Sequence, residues 1–491
     1  MIASLTLRDS FLILLISAQL TTGLQKTVAQ PTPPEPNHSE ASQGICATQL
    51  DAAIAEVIER PEFVRSRWGI LVEPLSSSIP IYNYEGERYF TPASNTKLLT
   101  TAAALHQLGA QFPIRTSVYS TGNIPNLTSL RLVGRGDPSL TTAKLKDLAQ
   151  QLKRRGVRRV EQLIVEEGYF SEPTIHPTWE WSDIYIYYGT SVNSLILNEN
   201  AAIVRLIPQE LDQPLQLSWD DPLARSQWQV ENQTTTAPAG TPSSIQILGV
   251  LGEPILQIKG QMAVDAEPYI WALAILNPAD YFLESFEKIL LDEGITVNET
   301  QVATSPQPTE PKTELAAVES DLESWLRKIN QESNNLYAEA LLHTLGAQSA
   351  TDSGVAALQQ SLTELGVEPE TYLLADGSGL SRHNKVSPEA LVQTLKLMAQ
   401  TPEAEIYQES LPVAGVNGTL KGRLQDRPVQ VNIRAKTGGM TGVSTLAGYL
   451  DLPSYQSLVF SIMVNRSEQS AAIRRQAIDE IVLLLASLRN C

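Results

Sequence analysis

The two ends of the chain carry similar patterns of helix and strand, and this similarity constrains the fold more than any other feature. Near the N-terminus, apolar spacing and turn residues predict a helix at 47–59, a strand hairpin at 69–75 and 79–84, and a helix at 98–108. Near the C-terminus, strands are predicted at 431–436, 444–452 and 457–464, followed by a helix at 470–488. Strands bracketed by an early and a late helix predict one α/β layer structure that both chain ends build together.

Between these ends lies a long middle region in a chain of 491 residues. Strands are predicted at 129–133, 159–165 and 201–207, a helix at 145–155, and Thr/Pro-rich loops or boundaries at 232–244 and 304–313. A structureless excursion of this length is implausible in a compact protein. The sequence therefore predicts a domain assembled from 46–112 and 312–491, with a domain or two inserted at 113–311.

The first 30 residues have the features of a secretory signal peptide. Arg8 precedes a short apolar run at 11–18, and Thr27-Val28-Ala29 is a candidate cleavage site. The run is well short of the ~20 apolar residues that a membrane-spanning helix needs, although an acidic residue beside the arginine leaves an uncleaved anchor as the alternative. Residues 31–45 are predicted to be a flexible leader. We therefore expect an exported protein, in the periplasm or elsewhere in or outside the cell envelope, with no transmembrane anchor after cleavage.

Cysteine and charge content narrow the classes of function. Cys46 and Cys491 are the only cysteines, and we predict that they form a disulfide in the exported protein; the alternative is two free or intermolecularly paired thiols. No C-x-x-C or H-E-x-x-H motif occurs and the five histidines are scattered, so a structural zinc or a metalloprotease site has no support. The formal net charge of −18 argues against nucleic acid as a partner, because it repels phosphates. The simpler explanation of this negative charge is that it keeps the protein soluble.

Ser94 and Lys97 form a Ser-x-x-Lys motif at the start of the predicted helix 98–108. Residues three apart share one face of a helix and can reach each other. A serine hydroxyl is a weak nucleophile until a base takes its proton, and lysine is a base only when burial or a second cation keeps it neutral. The helix N-terminus would also direct the Ser94 backbone N–H towards a developing oxyanion. The motif alone is weak evidence, because a capping serine and a solvated lysine often share this spacing.

Two further motifs follow, Ser333-Asn334-Asn335 and Lys436-Thr437-Gly438. The first could be a helix N-cap and the second an ordinary hairpin turn, but Lys436 could also be the cation that keeps Lys97 neutral. All three motifs in this order, each at a helix start or strand end, are much more specific than any one of them and predict an active-site-serine hydrolase. A Ser-His-Asp triad has less support, since no G-x-S-x-G motif occurs and no histidine has a defined serine partner.

The ordered motifs are typical of penicillin-binding proteins and related β-lactamases. The sequence closely resembles the class C low-molecular-mass penicillin-binding proteins, the D-alanyl-D-alanine carboxypeptidase/endopeptidases. The resemblance covers nearly all of the mature chain, including segments at 136–138, 192–200, 376–384 and 411–420 and the long separation of Ser94 from Ser333, which simple β-lactamases lack. It implies an α/β (α+β) multidomain protein with a β-lactamase-like serine transpeptidase domain, whose antiparallel sheet is flanked by helices, and two smaller nested inserted domains.

The resemblance also implies roles for the residues that would carry the chemistry. Ser94 would be acylated, and Lys97 would be the base that takes its proton. Ser333 and Asn335 would relay protons and hold the substrate amide. One departure is Asn334, where relatives often carry Asp; its side chain is expected to point away from the reaction.

Further roles concern substrate binding. Lys436 and Thr437 would bind the terminal carboxylate, since charge-assisted contacts are the strong ones. Gly438 and Gly439 would also belong to the substrate-binding site, and the backbone N–H groups of Ser94 and Gly439 would form the oxyanion hole. We hypothesise that Glu166 and Arg382 contact the free end of a diamino acid in the stem peptide. The alternative is a solvated glutamate and an arginine that anchors a loop.

These inferences together predict a D-Ala-D-Ala carboxypeptidase or endopeptidase. It would cleave peptidoglycan stem peptides or cross-links through an acyl-enzyme, with no cofactor or metal, and β-lactams would acylate the same serine. One alternative is a β-lactamase or esterase on the same scaffold, which rapid turnover of penicillin would favour. The other is a catalytically silent peptidoglycan-binding protein, but intact Ser94, Lys97 and Lys436 argue against it.

Overall fold

The computed structural model describes residues 44–304, 313–351, 353–425, 427–428 and 430–491. The predicted signal peptide and nearly all of the predicted leader lie outside these residues, as does most of the predicted loop at 304–313. Residues Gly44–Cys491 form one unit. No helix in the described ranges combines the length and the apolar character needed to cross a membrane.

The N-terminal part folds into a helix, two strands and a second helix, as predicted. Their bounds are α1 (Leu50–Ile58), β1 (Arg67–Pro74), β2 (Tyr82–Tyr84) and α2 (Thr96–Leu108). Strand β2 is shorter than the predicted 79–84, because Pro80 has no N–H with which to extend the ladder. Helix α2 ends before Gly109, whose positive φ of 74° suits a residue without a side chain.

The described residues of the inserted region form one five-stranded and two three-stranded sheets. The elements are β3 (Pro113–Asn123), β4 (Asn126–Val133), α3 (Thr142–Arg154), β5 (Arg159–Glu166), β6 (Ala201–Ile207), β7 (Gln216–Trp219), α4 (Pro222–Ser226), β8 (Gln229–Ala237), β9 (Gln246–Gly249), β10 (Ile255–Ala263), β11 (Tyr269–Ala274), α5 (Pro278–Asp292), β12 (Thr296–Ala303) and β13 (Thr313–Asp321). The sheet orders are β12-β5-β4-β3-β13, β8-β10-β9 and β11-β6-β7.

Two details of the inserted region differ from the sequence prediction. The predicted loop at 232–244 is wrong over its first half, where β8 runs to Ala237; its threonines are β-branched and favour a strand more than a loop. Strand β13 pairs antiparallel with β3, so the inserted sheet continues to Asp321, beyond the predicted boundary at 311. The number of domains in this region stays a prediction.

The C-terminal part completes the sheet that the N-terminal strands begin. Its elements are α6 (Leu322–Gln331), α7 (Asn335–Ala347), α8 (Gly354–Leu365), β14 (Tyr372–Leu373), β15 (Lys385–Val386), α9 (Pro388–Met398), α10 (Ala404–Glu409), β16 (Asn432–Met440), β17 (Val443–Asp451), β18 (Leu458–Asn465) and α11 (Ala471–Ala486). The strand order is β16-β17-β18-β1-β2, with every pair antiparallel. The predicted antiparallel sheet built by both chain ends is confirmed.

Helices cover both faces of this sheet. Alternate residues of β1 point to opposite faces: Ile70 and Val72 join a core with α1 and α11, whereas Leu71 joins a second core with α2, α7, α8 and α9. Because both faces are covered, β18 is buried along its whole length. On one of these faces, residues 96–105 of the helix that begins after Ser94 are all buried.

The described chain ends meet beside the sheet. The Ile45 N–H donates to the Ser487 carbonyl at 3.0 Å, and the Arg489 N–H donates to the Ile45 carbonyl at 3.1 Å. Cys46 and Cys491 form a disulfide across 445 residues of sequence, with their Cα atoms 5.8 Å apart. The predicted bridge is confirmed, and it joins the segments that lead into α1 and out of α11.

Candidate active site

Ser94 lies at the foot of α2, in the short helical turn Ala93–Asn95 that precedes the helix. The sequence predicted this position at or near a helix start. Ala93 has a positive φ of 47°, and Gly379 packs so closely that a Cβ there would lie 1.9 Å from the Ala93 carbonyl oxygen. This tight turn leaves Ser94 partly exposed while Lys97, one turn later, is fully buried.

The amine of Lys97 has three neighbours that suit an uncharged nitrogen. Nζ lies 3.1 Å from Ser94 Oγ, 2.7 Å from Asn335 Oδ1 and 2.6 Å from the Ser378 carbonyl oxygen. The amide and carbonyl oxygens only accept hydrogen bonds, so they take the two N–H groups of a neutral amine. The lone pair then faces the Ser94 hydroxyl, which can donate its proton. The contacts thus match a base directed at the serine.

Burial is the main reason that Lys97 can be uncharged. It lowers the pKa of Lys97 from 10.5 to about 7, although the charges of Asp376 and Glu339 act in the opposite direction. The sequence had offered burial or a second cation as the cause. The pKa of Lys436 is itself held well below its ordinary value, first by burial and then by Lys97. Each of these buried amines therefore favours the neutral form.

The second motif lies at the start of α7 and contacts both lysines. Ser333 has a positive φ of 60°, and its Oγ accepts a hydrogen bond from Lys436 Nζ at 2.8 Å. Asn335 accepts from Lys97 through Oδ1, and its Nδ2 donates to the Tyr188 carbonyl at 2.9 Å. The N-cap that the sequence offered as an alternative is made by the residue between them, Asn334. Capping and the contacts with the lysines thus coexist in one motif.

The third motif lies on β16, which is an edge strand of the sheet. A Cβ added to Gly438 would lie 2.8 Å from the Pro92 carbonyl oxygen and 3.2 Å from the Ser94 nitrogen, so only glycine allows this close approach to the nucleophile turn. Gly439 faces open space. Thr437 Oγ1 donates to Thr419 Oγ1 at 2.8 Å. The edge of β16 thus carries the hydroxyl pair of Thr437 and Thr419 and lies close to the backbone N–H of Ser94.

The loop at 376–384, which is buried over residues 376–379, supports the base; Arg382 is the one residue of this loop for which the sequence predicted a role. Glu339 accepts the Ser378 N–H at 2.7 Å, and Asp376 accepts the Gly379 N–H at 2.8 Å. These contacts hold the Ser378 carbonyl against Lys97. Burial and the charge of Asp376 raise the pKa of Glu339 to about 8. The only sequence signal was an acidic residue within the apolar stretch of α7 and another before a run of small polar residues.

Glu166 and Arg382 have different partners. Glu166 ends β5 and forms a largely buried ion pair with Arg131 on the neighbouring strand β4. Arg382 pairs with Glu180, and its Nη1 lies 3.5 Å from Met440 Sδ at the end of β16. The hypothesis had given both residues the same contact with substrate. The shared contact with substrate stays a prediction for both residues, and the carboxylate of Glu166 is already paired with Arg131.

In the described ranges the hydrogen-bond partner of the Ser94 hydroxyl is a lysine rather than a histidine. His176 Nδ1 lies 2.9 Å from Thr178 Oγ1, and the His343 ring packs edge-on against Phe170 with centroids 5.1 Å apart. No cluster of three or more His, Cys, Asp or Glu side chains that could hold a metal ion occurs among the described residues. The assembled groups are hydroxyls, amines and amides.

Comparisons with known proteins agree with this geometry. The D-Ala-D-Ala carboxypeptidase 3 (S13) family matches residues 50–488. A D-alanyl-D-alanine carboxypeptidase of Actinomadura sp. (strain R39) is 30% identical over 466 residues, which span 91% of this chain and 86% of that protein. The D-alanyl-D-alanine carboxypeptidase DacB of Haemophilus influenzae is 27% identical over 412 residues, 82% of this chain and 85% of that protein.

A solved structure extends the likeness to the fold. The crystal structure of penicillin binding protein 4 (dacB) from Haemophilus influenzae matches with a TM-score of 0.77 and 26% identity, over 88% of this chain and 98% of that chain. The match extends over most of both chains, and it confirms the fold class predicted from sequence. The chain belongs to the D-Ala-D-Ala carboxypeptidase 3 (S13) family, the class C low-molecular-mass penicillin-binding proteins that its sequence resembles.

Proposed function

We propose that Ser94 is the nucleophile of a D-Ala-D-Ala carboxypeptidase or endopeptidase that acts on peptidoglycan stem peptides or their cross-links. The observation that carries the proposal is the 3.1 Å contact between the Ser94 hydroxyl and the buried amine of Lys97. Burial gives that amine a pKa of about 7, so a large fraction can accept a proton at neutral pH. A serine beside such a base is an activated nucleophile.

Acylation needs one proton transfer to the base and one to the leaving group. Ser94 Oγ attacks the carbonyl carbon of the penultimate D-Ala while its proton moves to Lys97 Nζ. The oxyanion is stabilised by the backbone N–H groups of Ser94 and Gly439. As the C–N bond breaks, the proton that Lys97 took from Ser94 passes to the leaving amine, relayed through Ser333, whose hydroxyl is hydrogen-bonded to Lys436. Water then releases the acyl group, and a β-lactam would acylate the same oxygen.

The strand edge and its neighbours supply substrate recognition. A terminal carboxylate beside β16 can accept hydrogen bonds from the hydroxyls of Thr437 and Thr419 and from the amine of Lys436, which is a donor in its neutral form as well. Asn335 is proposed to hold the substrate amide. Arg382, beside the end of β16, and Glu166, at the end of β5, are proposed to contact the side chain of the diamino acid in the stem peptide. Because this substrate is part of the cell wall, the proposal also requires export to the cell envelope.

Intact-mass analysis after treatment with benzylpenicillin tests the proposed function. The wild-type protein should gain one penicilloyl group and Ser94→Ala none, because the alanine variant lacks the attacking oxygen. Ser226→Ala removes an exposed hydroxyl from α4 in the inserted region and should label like wild type. A label that persists in Ser94→Ala would refute the assignment. Rapid hydrolysis without an adduct would indicate a β-lactamase, and absence of both would indicate a silent binder.

The acylation rate should depend on pH through Lys97. Raising the pH through the pKa of about 7 removes the ammonium proton, so the rate should rise with pH to a plateau and fall about tenfold per unit below the midpoint. The measurement is the second-order rate constant for a chromogenic cephalosporin across this range. A midpoint near 10.5, the ordinary lysine value, would contradict a base activated by burial.

A further inference from the structure

A turn in the inserted region has a strained backbone and contacts the second motif, Ser333-Asn334-Asn335. In Asn198–Asn200, three successive residues have positive φ values of 51°, 56° and 47°. Asparagine tolerates this left-handed conformation, whereas glutamate rarely adopts it. Strain of this kind persists only where the surroundings fix it, and it often marks a functional position. The glutamate at the centre of the turn, Glu199, therefore needs an explanation.

The asparagines on either side of Glu199 fix the turn within the inserted region. Asn198 accepts the Thr142 N–H at 3.0 Å, and its Nδ2 lies 2.9 Å from the Tyr281 hydroxyl. Asn200 Nδ2 donates to the Ser191 carbonyl at 3.0 Å. These contacts lie within the inserted region, on the start of α3, on α5 and on the segment before the turn. The turn is thus anchored without any contribution from Glu199.

The carboxylate of Glu199 contacts the middle residue of the second motif. Asn334 Nδ2 donates to Glu199 Oε2 at 2.7 Å, and Asn334 Oδ1 accepts the Tyr337 N–H at 3.2 Å. Both ends of this amide are therefore used, one to cap α7 and the other to bond across to the inserted region. The backbone on either side of Asn334 belongs to Ser333, itself at a positive φ of 60°, and to Asn335.

A second contact reaches the same motif from the inserted region, from the Tyr188 carbonyl to Asn335. We infer that Glu199 is a positioning residue for the reaction: it holds Asn334, and through it the hydroxyl of Ser333 and the amide of Asn335, against the two lysines. This inference rests on the proposed function, because Ser333 and Asn335 act in that reaction. It gives the inserted region a part in catalysis without direct contact with the reacting atoms.

The carboxyl group of Glu199 has both a positively and a negatively charged side chain near it. Lys328 on α6 and Glu332 just after it face the carboxyl and pair with each other at 2.8 Å, and the phenols of Tyr187 and Tyr337 lie nearby. Burial raises the pKa of Glu199, while Lys328 and the Asn334 amide act in the opposite direction. An amide donor at position 334 is thus the neighbour that this carboxylate requires.

The central test is Asn334→Asp, which keeps the cap but removes the donor. One aspartate oxygen can still accept the Tyr337 N–H, while the other would face Glu199 Oε2 where the amide nitrogen now lies at 2.7 Å. At low pH the two carboxyls can share one proton, but at higher pH both ionise and repel. We expect the acylation rate of this variant to fall about 10- to 100-fold relative to wild type as the pH rises from about 6 to about 8.5.

Glu199→Gln in the same protein should restore the rate. The glutamine amide can donate to the carboxylate introduced by Asn334→Asp, so the double variant should stay within about threefold of wild type at every pH. Glu199→Gln alone keeps an acceptor for Asn334 and should also change the rate by less than about threefold. Wild-type behaviour of Asn334→Asp at all pH values, or a double variant as slow as Asn334→Asp, would overturn the inference.

Asn277→Asp is the matched control. Asn277 caps α5 through its Oδ1 and donates from Nδ2 to the Asp280 carboxylate at 2.5 Å, so it makes the same pair of bonds at an exposed position in the inserted region. It should not alter acylation.

Thermal unfolding of the same variants measures the coupling between Glu199 and Asn334 independently of activity. We expect a lower melting temperature for Asn334→Asp at high pH and a return to the wild-type melting temperature in the double variant. Failure of wild type to be acylated would count against the proposed function, while absence of coupling in the melts would count against Glu199.

Discussion

Lys97→Met should lower the rate of acylation of Ser94, by penicillin or by a D-Ala-D-Ala peptide, by about 10²- to 10⁴-fold, the usual contribution of a general base. Methionine is unbranched and fills a similar buried space, but it has no basic atom. Ser94 would keep its proton, and Asn335 Oδ1 and the Ser378 carbonyl would lose their shared donor. The measurement is the second-order acylation rate constant, with circular dichroism to verify the fold.

Lys396→Met separates loss of the base from loss of a buried amine in general. Lys396 is also largely buried, and its Nζ contacts the Glu73 carboxylate at 2.6 Å and the Ser77 carbonyl at 2.7 Å. Its removal should lower the melting temperature, because Glu73 loses its partner, and leave acylation unchanged. Equal losses of rate in both variants, or a Lys97→Met protein that acylates normally, would contradict the assignment of the base.

Gly379→Ala should lower acylation by about 10²-fold, the effect expected when a reacting group shifts by roughly 1 Å. Gly379 has a φ of +83°, and an added Cβ would lie 1.9 Å from the Ala93 carbonyl oxygen. The turn that carries Ser94 would therefore have to move. The measurement is again the acylation rate constant, together with the melting temperature.

The matched control is Gly252→Ala, since Gly252 has nearly the same backbone conformation. Its φ is +77°, but no heavy atom lies within 4 Å of an added Cβ. This variant has the same left-handed strain, about 1–2 kcal/mol, without the contact with the serine turn. We expect a small loss of stability and a normal acylation rate. If both variants acylate equally, the close packing on Ala93 does not position the nucleophile.

The parts of the site that could be predicted from sequence depend on short-range spacing. Ser94 and Lys97 are neighbours because they lie one helical turn apart, and a run of small and apolar residues predicts the helix that buries the amine. The order of the three motifs then indicates that distant segments share a cleft. The fold of both chain ends was predictable for a related reason, since alternation and apolar runs mark strands that lie between helix layers.

The parts that could not be predicted depend on contacts between distant segments. The support that Glu339 gives to the Ser378 peptide has only a weak local signal, an acidic residue within an apolar stretch, because an acidic residue on a helix is usually solvated. The partner of Glu166 is set by the neighbouring strand β4, which spacing along the chain does not reveal. Strand β8 was missed because threonine occurs in turns as well as strands, and only its pairing with β10 decides between them.

The strand order β16-β17-β18-β1-β2 also governs when the protein first becomes chemically competent. Synthesis proceeds from the N-terminus, so Ser94 is made early. Strand β1, however, is paired along one edge only after β18 has been made, and β18 is the last strand of the described chain. Contacts so far apart in sequence form slowly. A nascent or C-terminally truncated chain would therefore carry an inert serine, and its reactivity would begin only once the chain is nearly complete.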